Sequence, residues 1–286
     1  MISLTTPVIV PPTQLRIDHE QPVLLLGSCF SDEIGAKLSA AGFPVLGNPF
    51  GTLYNPASIA ACLTRALRNE PIDARYLVQH EGLWHSWLHH GRFSHPSQDE
   101  ALRLANESIT QTHDFLQQKP LVIVTFGTAW VFELAGDGVM QHKVVANCHK
   151  LPPQMFVRRR MTVGEIVELW GGLLHELDCE VLLTVSPIRH MADGAHGNQL
   201  SKSTLLLAQE SMCAMGCGYF PSYEIAMDEL RDYRFYAKDM CHLSDVAVEV
   251  IWERFKETYM STETQQLCRN KERAWRQTQH RQLHYR

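Results

Sequence analysis

The sequence predicts an α/β fold, a three-layer α/β/α sandwich with a mainly parallel sheet and β-hairpin insertions. Three short apolar runs, at residues 23–26, 121–125 and 181–185, have the length of buried strands and are bounded by polar or turn-forming residues. Segments with helical periodicity separate these runs, and such alternation is typical of a parallel sheet that helices cover on both faces. The predicted helices span residues 32–41, 56–69, 99–117, 162–177, 202–215 and 245–259.

Two stretches interrupt the alternation of strands and helices. Residues 76–93 and 130–145 have the pattern of β-hairpins, and the second contains the turn sequence Ala135-Gly136-Asp137-Gly138. We expect both hairpins at a sheet edge or above the functional site. No linker rich in Pro, Gly or Ser divides the chain, so residues 1–262 are predicted to form a single domain. Residues 263–286 are predicted to be a basic tail or a peripheral helix.

Composition narrows the class of protein. The 286 residues carry a net charge of −5, which argues against general nucleic-acid binding. No signal peptide is evident, and no window approaches the ~18 consecutive apolar residues of a membrane span. The eight cysteines form no Cys-x-x-Cys pair, so we expect reduced thiols in a cytoplasmic protein. We expect no metal, no organic cofactor and no membrane partner, and the oligomeric state is open.

The turn after the first predicted strand carries two adjacent nucleophile candidates, Ser28 and Cys29. Gly27 permits a sharp turn, and residues 31–33 have the pattern of a helix start. Free N–H groups and the positive dipole end of a helix favour a thiolate or an oxyanion at this place. An ordinary βα turn with a small buried thiol explains this segment equally well.

A second candidate feature lies near the carboxyl end of the chain. Asp239 and His242 are three residues apart, just before a helix whose predicted N-cap is Ser244. In this arrangement Asp239 can hold the imidazole in the tautomer that accepts a proton from a nucleophile. An Asp-x-x-His pair alone is a weak signal, because most such pairs are merely exposed. Combined with the strand, the Gly-Ser-Cys turn and the helix, it becomes specific.

Together these motifs resemble the SGNH/GDSL hydrolase superfamily, in which the nucleophile follows the first strand and an Asp-x-x-His lies near the carboxyl end. The closer resemblance is to the GSCFA family, because Gly27-Ser28-Cys29-Phe30 matches its first motif and Ser31 replaces its alanine. The resemblance implies a flavodoxin-like fold of the SGNH type. Further similar stretches lie at residues 48–56, 126–130, 145–150, 186–190 and 219–224.

The resemblance also implies roles for the residues of the two motifs. Gly-Asp-Ser of the superfamily aligns with residues 27–29, which puts Cys29 at the nucleophile position. Asp239 and His242 fit the last block without adjustment. A thiol at a helix N-terminus beside an imidazole can ionise near neutral pH. Ser28 would instead need the imidazole as a base during attack. We favour Cys29, and Ser28 remains the alternative.

The oxyanion and substrate-binding residues follow from the same resemblance. Gly51 corresponds to the second-block glycine, whose backbone N–H serves the oxyanion. The third block supplies Gly127 but lacks its usual Asn, and Asn147 is the candidate replacement. The other candidates for lining the site are Trp130, His149, Arg189, His190, Asn198 and Lys202. Ordinary packing or loop solvation is the alternative for each of these.

Acyl transfer is the activity that the resemblance implies. The first expectation is an esterase or thioesterase type of hydrolase that forms a covalent acyl-enzyme on a small-molecule or carbohydrate ester, with an O-acylated carbohydrate as the first choice. There are two alternatives: an acyltransferase that uses the same residues, and a non-catalytic binding protein on the same fold. The arginines at 158–160 are interpreted as a solvated approach to a helix. His85 and His89 are interpreted as solvated or substrate-facing hairpin residues.

Overall fold

A parallel sheet between two layers of helices forms the centre of the structure. The computed structural model describes residues 6–10, 12–136, 140 and 143–283. Its strands are β1 (Val23–Gly27), β2 (Val45–Gly47), β3 (Leu77–His80), β4 (Leu83–Ser86), β5 (Leu121–Phe126), β6 (Trp130–Leu134), β7 (Val144–Val145), β8 (Phe156–Arg160), β9 (Val181–Val185) and β10 (Gly218–Tyr219). Its α-helices are α1 (Cys29–Ala40), α2 (Pro56–Arg68), α3 (Gln98–Leu116), α4 (Val163–Glu176), α5 (Gly194–Cys213), α6 (Ser222–Glu224), α7 (Asp245–Tyr259) and α8 (Thr262–Leu283).

The central sheet has the strand order β2-β1-β5-β9-β10, and all neighbouring strands are parallel. Counted along the chain, these five strands follow the order 2-1-3-4-5 of doubly wound flavodoxin-like sheets. The winding reverses between β1 and β5, so the carboxyl ends of these two strands border a crevice. In open α/β sheets ligands bind at this switch point. The predicted parallel sheet flanked by helices is confirmed.

Each face of the sheet carries its own hydrophobic core. Along β1, Leu24 and Leu26 belong to one core, whereas Val23 and Leu25 belong to the other, because side chains alternate across a strand. Helices α2 to α5 cover the first core, and α1, α7 and α8 cover the second. Cys268 of α8 is fully buried in this second core. The predicted division between a domain and a tail stays a prediction.

The first predicted hairpin is present as β3 and β4, which pair antiparallel. Its turn, Glu81-Gly82, has positive φ at both residues, as the tight type I′ turn requires. The second stretch is larger than a hairpin, because β6 pairs with both β7 and β8. Of the predicted turn in this stretch, Asp137 and Gly138 lie outside the described residues.

Two sequence interpretations are wrong. The arginines at 158–160 belong to β8, where they pair with β6, and do not form an approach to a helix. Helix α5 begins at Gly194 and not at Lys202. Its early turns bury the polar residues Asn198, Ser201 and Lys202, so they lack the apolar pattern of a buried helix face. Within the described chain, no helix is both long enough and apolar enough to cross a bilayer.

Candidate active site

The turn between β1 and α1 lies at the switch point of the sheet. Gly27 has a φ of +139°, and a Cβ there would lie 2.2 Å from the Thr125 carbonyl oxygen of β5. Only glycine therefore permits this close approach of the two strands. Ser28 is the N-cap of α1, and Cys29 is the first residue of the helix. The Cys29 side chain thus stands at a helix N-terminus beside the carboxyl ends of β1 and β5.

Asn48, which follows β2, holds this turn from the side. Its side chain is buried, and its own φ of +41° lies in the left-handed region that Asn tolerates. Asn48 Oδ1 accepts a hydrogen bond from the Gly27 N–H at 2.9 Å, and Nδ2 donates to Asp32 Oδ1 at 2.8 Å. The turn and the first turn of α1 are therefore linked through one amide.

Cys29, His242 and Asp239 form a hydrogen-bonded series. Cys29 Sγ lies 3.6 Å from His242 Nε2, and His242 Nδ1 lies 2.6 Å from Asp239 Oδ2. The carboxylate accepts from Nδ1–H, so Nε2 is left as the acceptor for the thiol proton. Asp239 Oδ1 also accepts the backbone N–H groups of Cys241 at 2.9 Å and His242 at 3.0 Å. The structure thus joins three predicted site residues that are up to 213 positions apart in the chain.

The charge states of this series follow from its surroundings. The backbone hydrogen bond from Cys241, followed by the contact with His242, lowers the pKa of Asp239 to about 2, so the carboxylate is ionised at neutral pH. Burial raises the pKa of the Cys29 thiol, and the nearby Asp32 and Glu33 raise it further. These surroundings favour the thiol over the thiolate, so a nucleophilic Cys29 would need a base such as His242.

Ser28 is excluded from this series by its position. Its side chain is only 1% exposed, and Oγ finds no hydrogen-bond partner among the described residues. Its backbone N–H donates to the Thr125 carbonyl at 3.2 Å. Of the two adjacent nucleophile candidates, the structure brings Cys29 and not Ser28 to the imidazole.

Gly51 and Gly127, the two glycines that the resemblance places at the site, both have their N–H groups engaged. The Gly51 N–H donates to the Asn48 carbonyl at 2.8 Å, and the Gly127 N–H donates to the Tyr54 carbonyl at 2.8 Å. Gly51 has a φ of +79°, and a Cβ there would lie 2.2 Å from His90 Cβ. Both glycines serve tight turns and close packing, and the engaged Gly51 N–H does not fit the oxyanion role that the resemblance implies for it.

A cleft of about 730 Å³ opens above Cys29 and His242. Its wall includes three aromatic side chains, Tyr54, Trp130 and Phe132. Other residues lining the cleft include Asn147, Cys148, Arg158, Arg189, His190 and Asp193. The cleft therefore takes in four of the predicted substrate-binding residues, but Gly51, Gly127 and His149 are not part of its lining. A second groove, of about 760 Å³, lies at the amino end of β9 and contains none of the motif residues.

Residues from the second sheet and from the loop after β9 shape this cleft. The Arg158 guanidinium lies 4.2 Å above the Trp130 ring and pairs with Asp193, so β8 is tied to the start of α5. The Arg189 guanidinium lies 3.9 Å above the Tyr236 ring. The Arg189 N–H also donates to the Cys241 carbonyl at 3.2 Å, which fixes the loop that carries His242.

The remaining predicted residues have different surroundings. Burial lowers the pKa of His190 to about 4, so this cleft residue is neutral at pH 7. His149 is buried away from the cleft, where Nε2 donates to the Ser86 carbonyl at 2.8 Å and the ring stacks on His85. His85 and His89 are also buried, at 8% and 1% exposure, and neither lines the cleft, so their interpretation as solvated or substrate-facing residues is wrong.

Lys202 is buried beneath the site and does not line the cleft. Its Nζ donates to the Gly127 carbonyl at 2.7 Å and to the Ser186 carbonyl at 2.6 Å. It thereby joins the segments that follow β5 and β9. Burial lowers the pKa of this ammonium group to about 7. The sequence offered Lys202 as a ligand for a polar group, but its position among the buried residues of α5 indicates a structural contact.

Tyr54 and Asn48 are residues of the site that the sequence analysis does not single out. Both lie within the family-like stretch at residues 48–56, and membership of that stretch was the only signal. No three His, Cys, Asp or Glu side chains converge to hold a metal ion anywhere in the described ranges.

The fold and the site together define a doubly wound α/β protein with a Cys–His–Asp triad at the switch point of its sheet. Residues 22–255 match the model of the GSCFA family, so the chain belongs to that family. The match includes both the turn at residues 27–30 and the segment at residues 239–242. None of the curated proteins compared with the chain matches it.

Proposed function

We propose that this protein is an acyl-transfer enzyme of the SGNH type, and specifically a hydrolase of an ester or thioester that forms an acyl-Cys29 intermediate. One observation carries the proposal: Cys29 Sγ lies 3.6 Å from His242 Nε2, and His242 Nδ1 is held by Asp239. A nucleophile, a base and an orienting carboxylate in this order are the components of nucleophilic acyl transfer. The flavodoxin-like strand order supports the SGNH assignment.

Acylation begins when Cys29 Sγ attacks the carbonyl carbon and its proton passes to His242 Nε2. The S–C bond forms, and the π electron pair of the carbonyl moves to oxygen. Collapse of this tetrahedral intermediate restores the C=O bond and breaks the bond to the leaving alkoxide, which takes the proton from His242. Asp239 stabilises the imidazolium that forms during this step.

Deacylation repeats the sequence with water as the nucleophile. His242 Nε2 takes a proton from water as its oxygen attacks the acyl carbon. The second tetrahedral intermediate collapses by breaking the C–S bond, and the sulfur recovers a proton from His242. The backbone N–H groups of Cys29 and Phe30 at the start of α1 act to lower the pKa of the thiol, and so favour negative charge beside it.

An O-acylated carbohydrate is the proposed substrate class. Sugar rings bind through their apolar faces to aromatic side chains and through their hydroxyls to polar groups. The cleft supplies aromatic rings from Tyr54, Trp130 and Phe132, with polar groups from Asn147 and His190.

All eight cysteines are free thiols, which supports the further proposal of a reducing, cytoplasmic location.

The test is acid-quenched mass spectrometry after reaction with an activated acetyl ester. We expect an acetyl adduct on the peptide that contains Cys29, and its loss in Cys29→Ala and His242→Ala. The matched control is Cys179→Ser, which removes a half-buried thiol outside the cleft and should leave the adduct in place. An adduct on Ser28, or the absence of both adduct and ester turnover in the native protein, contradicts the proposal.

A further inference from the structure

The proposed reaction creates an oxyanion that needs a donor in addition to the helix N-terminus. The Gly51 N–H, which the family resemblance assigns to this task, is already donated to the Asn48 carbonyl, and the Gly127 N–H is donated to the Tyr54 carbonyl. A strong oxyanion site uses several fixed donors. The side chains around Cys29 must therefore supply what these glycines do not.

Tyr54 occupies a fixed position across the switch point. The N–H of the preceding residue, Leu53, donates to the Gly27 carbonyl at the end of β1, at 2.9 Å. The Tyr54 carbonyl accepts the N–H groups of Gly127 at 2.8 Å and Thr128 at 2.9 Å, just after β5. The backbone at this residue is therefore attached to both strands that flank the nucleophile.

The phenol of Tyr54 faces the same cleft as Cys29 and His242. Its ring meets the His190 ring edge to face, with centroids 5.7 Å apart, so the side chain is supported on one side. Among the hydrogen bonds of the described residues, none involves the Tyr54 hydroxyl. Burial raises the pKa of this phenol, and a negative charge on Cys29 raises it further, so the hydroxyl keeps its proton.

We propose that the Tyr54 hydroxyl is a catalytic hydrogen-bond donor to the tetrahedral oxyanion formed at Cys29. This inference rests on the proposed acyl-transfer function. The hydroxyl supplies a donor where the side-chain amide after Gly127 is missing. Asn147, the replacement that the resemblance suggests, also lines the cleft, and its Oδ1 accepts the His149 N–H at 2.8 Å. The Tyr54 hydroxyl donates to the substrate oxygen as the carbonyl π pair moves there, and it gives up no proton in the step.

Two reactions of the same thiol test this assignment. Acetylation by an activated ester passes through an oxyanion, whereas alkylation by iodoacetamide displaces iodide at a saturated carbon and forms none. Tyr54→Phe removes only the hydroxyl. We expect single-turnover acetylation of Cys29 to slow by about 100- to 1000-fold, while the rate of alkylation stays unchanged. The control is Tyr76→Phe, which removes a hydroxyl bound to Arg65 outside the cleft and should alter neither rate.

Each other outcome overturns the assignment in a distinguishable way. Equal acetylation rates in Tyr54→Phe and the native protein overturn the role of Tyr54 and leave the proposed function intact. A parallel fall in acetylation and alkylation shows that the phenol acts on the thiol or on local folding, and overturns its role as an oxyanion donor. If the native protein is alkylated at Cys29 but never acetylated, the proposed function fails, and the role of Tyr54 fails with it.

Discussion

The orientation of the His242 imidazole depends on a carboxylate that the chain itself holds in place. Asp239 Oδ1 accepts two backbone N–H groups of its own loop, from Cys241 and His242, and only Oδ2 faces the imidazole. The loop is attached to the protein through Arg189, which bonds the Cys241 carbonyl and covers the Tyr236 ring. The imidazole is therefore oriented by hydrogen bonds within its own loop and by the contacts of Arg189, although both His242 and Asp239 are half exposed.

Asp239→Asn tests this orientation. An Asn can keep the oxygen that accepts the backbone N–H groups, but it can present its NH₂ to Nδ1 and so reverse the imidazole tautomer. We expect kcat/KM for an activated ester to fall by up to about 10⁴-fold with little loss of stability. The control is Asp228→Asn, which removes an exposed carboxylate paired with Arg231 and should have no effect on turnover. Equal rates in the two variants would refute the orienting role.

Asn48→Asp tests the amide that holds the turn between β1 and α1. The new carboxylate still accepts the Gly27 N–H, but its second oxygen faces Asp32 where an NH₂ donated before. Two facing carboxylates repel, so we expect the free energy of unfolding at pH 7 to fall by about 1–3 kcal/mol. The pKa of the new carboxyl is raised in the folded state, so this loss shrinks as the pH falls and the carboxyl gains a proton.

The same chemical change at Asn55 is the control for this variant. Asn55 is the N-cap of α2, where its Oδ1 accepts the Ser58 N–H at 2.8 Å. A carboxylate is favourable at a helix N-terminus, so Asn55→Asp should retain or increase stability at pH 7. Urea unfolding of both variants at pH 7 and pH 5 gives the comparison. A similar effect of the two substitutions at pH 7 would exclude the repulsion assigned to position 48.

At the scale of elements, the β1–α1 connection depends on a residue without a side chain. Gly27→Ala would place a Cβ 2.2 Å from a backbone carbonyl of β5 at a φ of +139°. Neither strand can move without disturbing the sheet, so we expect a loss of more than about 3 kcal/mol of stability or failure to fold. Gly47→Ala, at the end of β2 with no neighbour within 4 Å, should change stability by less than about 0.5 kcal/mol. Thermal unfolding compares the two, and comparable Tm values would contradict this account.

The sequence identifies elements whose pattern is local. Strands β1, β5 and β9 are short, mainly apolar runs, and α7 spans the predicted residues 245–259. Strands β2 and β10 have only three and two residues, too few for a periodic pattern, so neighbouring strands define them. The arginines of β8 look solvated in the sequence because their partners are distant: Arg158 covers Trp130, and Arg159 pairs with Glu133 and Glu165.

In the candidate site too, a local sequence pattern identifies some residues and only the fold identifies others. Cys29, Asp239 and His242 are recognisable because each lies in a short motif before or at the start of a helix. Tyr54 and Lys202 are positioned by hydrogen bonds with backbone groups of Gly127, which is remote in sequence from both, so no local pattern reveals these contacts. Gly51 has the expected place in the motif, but only the fold shows that its N–H is already donated.

At the scale of the whole molecule, buried histidines join the β3–β4 hairpin to the rest of the fold. His89 Nδ1 lies 2.7 Å from Ser86 Oγ, and Nε2 lies 3.2 Å from Ser108 Oγ of α3. His149 reaches the Ser86 carbonyl from the segment that also carries Asn147 into the cleft. Burial lowers the pKa of His89 to about 3 and that of His149 to about 4. Both rings are therefore neutral in the native protein at pH 5 to 7.

These histidines predict a loss of stability in mild acid. Below pH 6.5, about the ordinary pKa of histidine, the unfolded chain binds protons that the native state does not. The free energy of unfolding therefore decreases as the pH is lowered. The fall begins near pH 6.5 and ends near the folded pKa of each ring. We expect each buried histidine to account for about 2 kcal/mol of the loss between pH 7 and pH 5.

His89→Gln separates this linkage from the general effect of acid. The variant lacks the titrating ring, so its free energy of unfolding should fall less between pH 7 and pH 5 than that of the native protein, by about 2 kcal/mol. Its absolute stability at pH 7 does not enter the comparison, since only the pH dependence reports proton binding. His196→Gln, at an exposed position in α5, should retain the native pH dependence. Urea unfolding across this range measures all three proteins, and an unchanged slope in His89→Gln would mean that His89 is not the group that links protonation to unfolding.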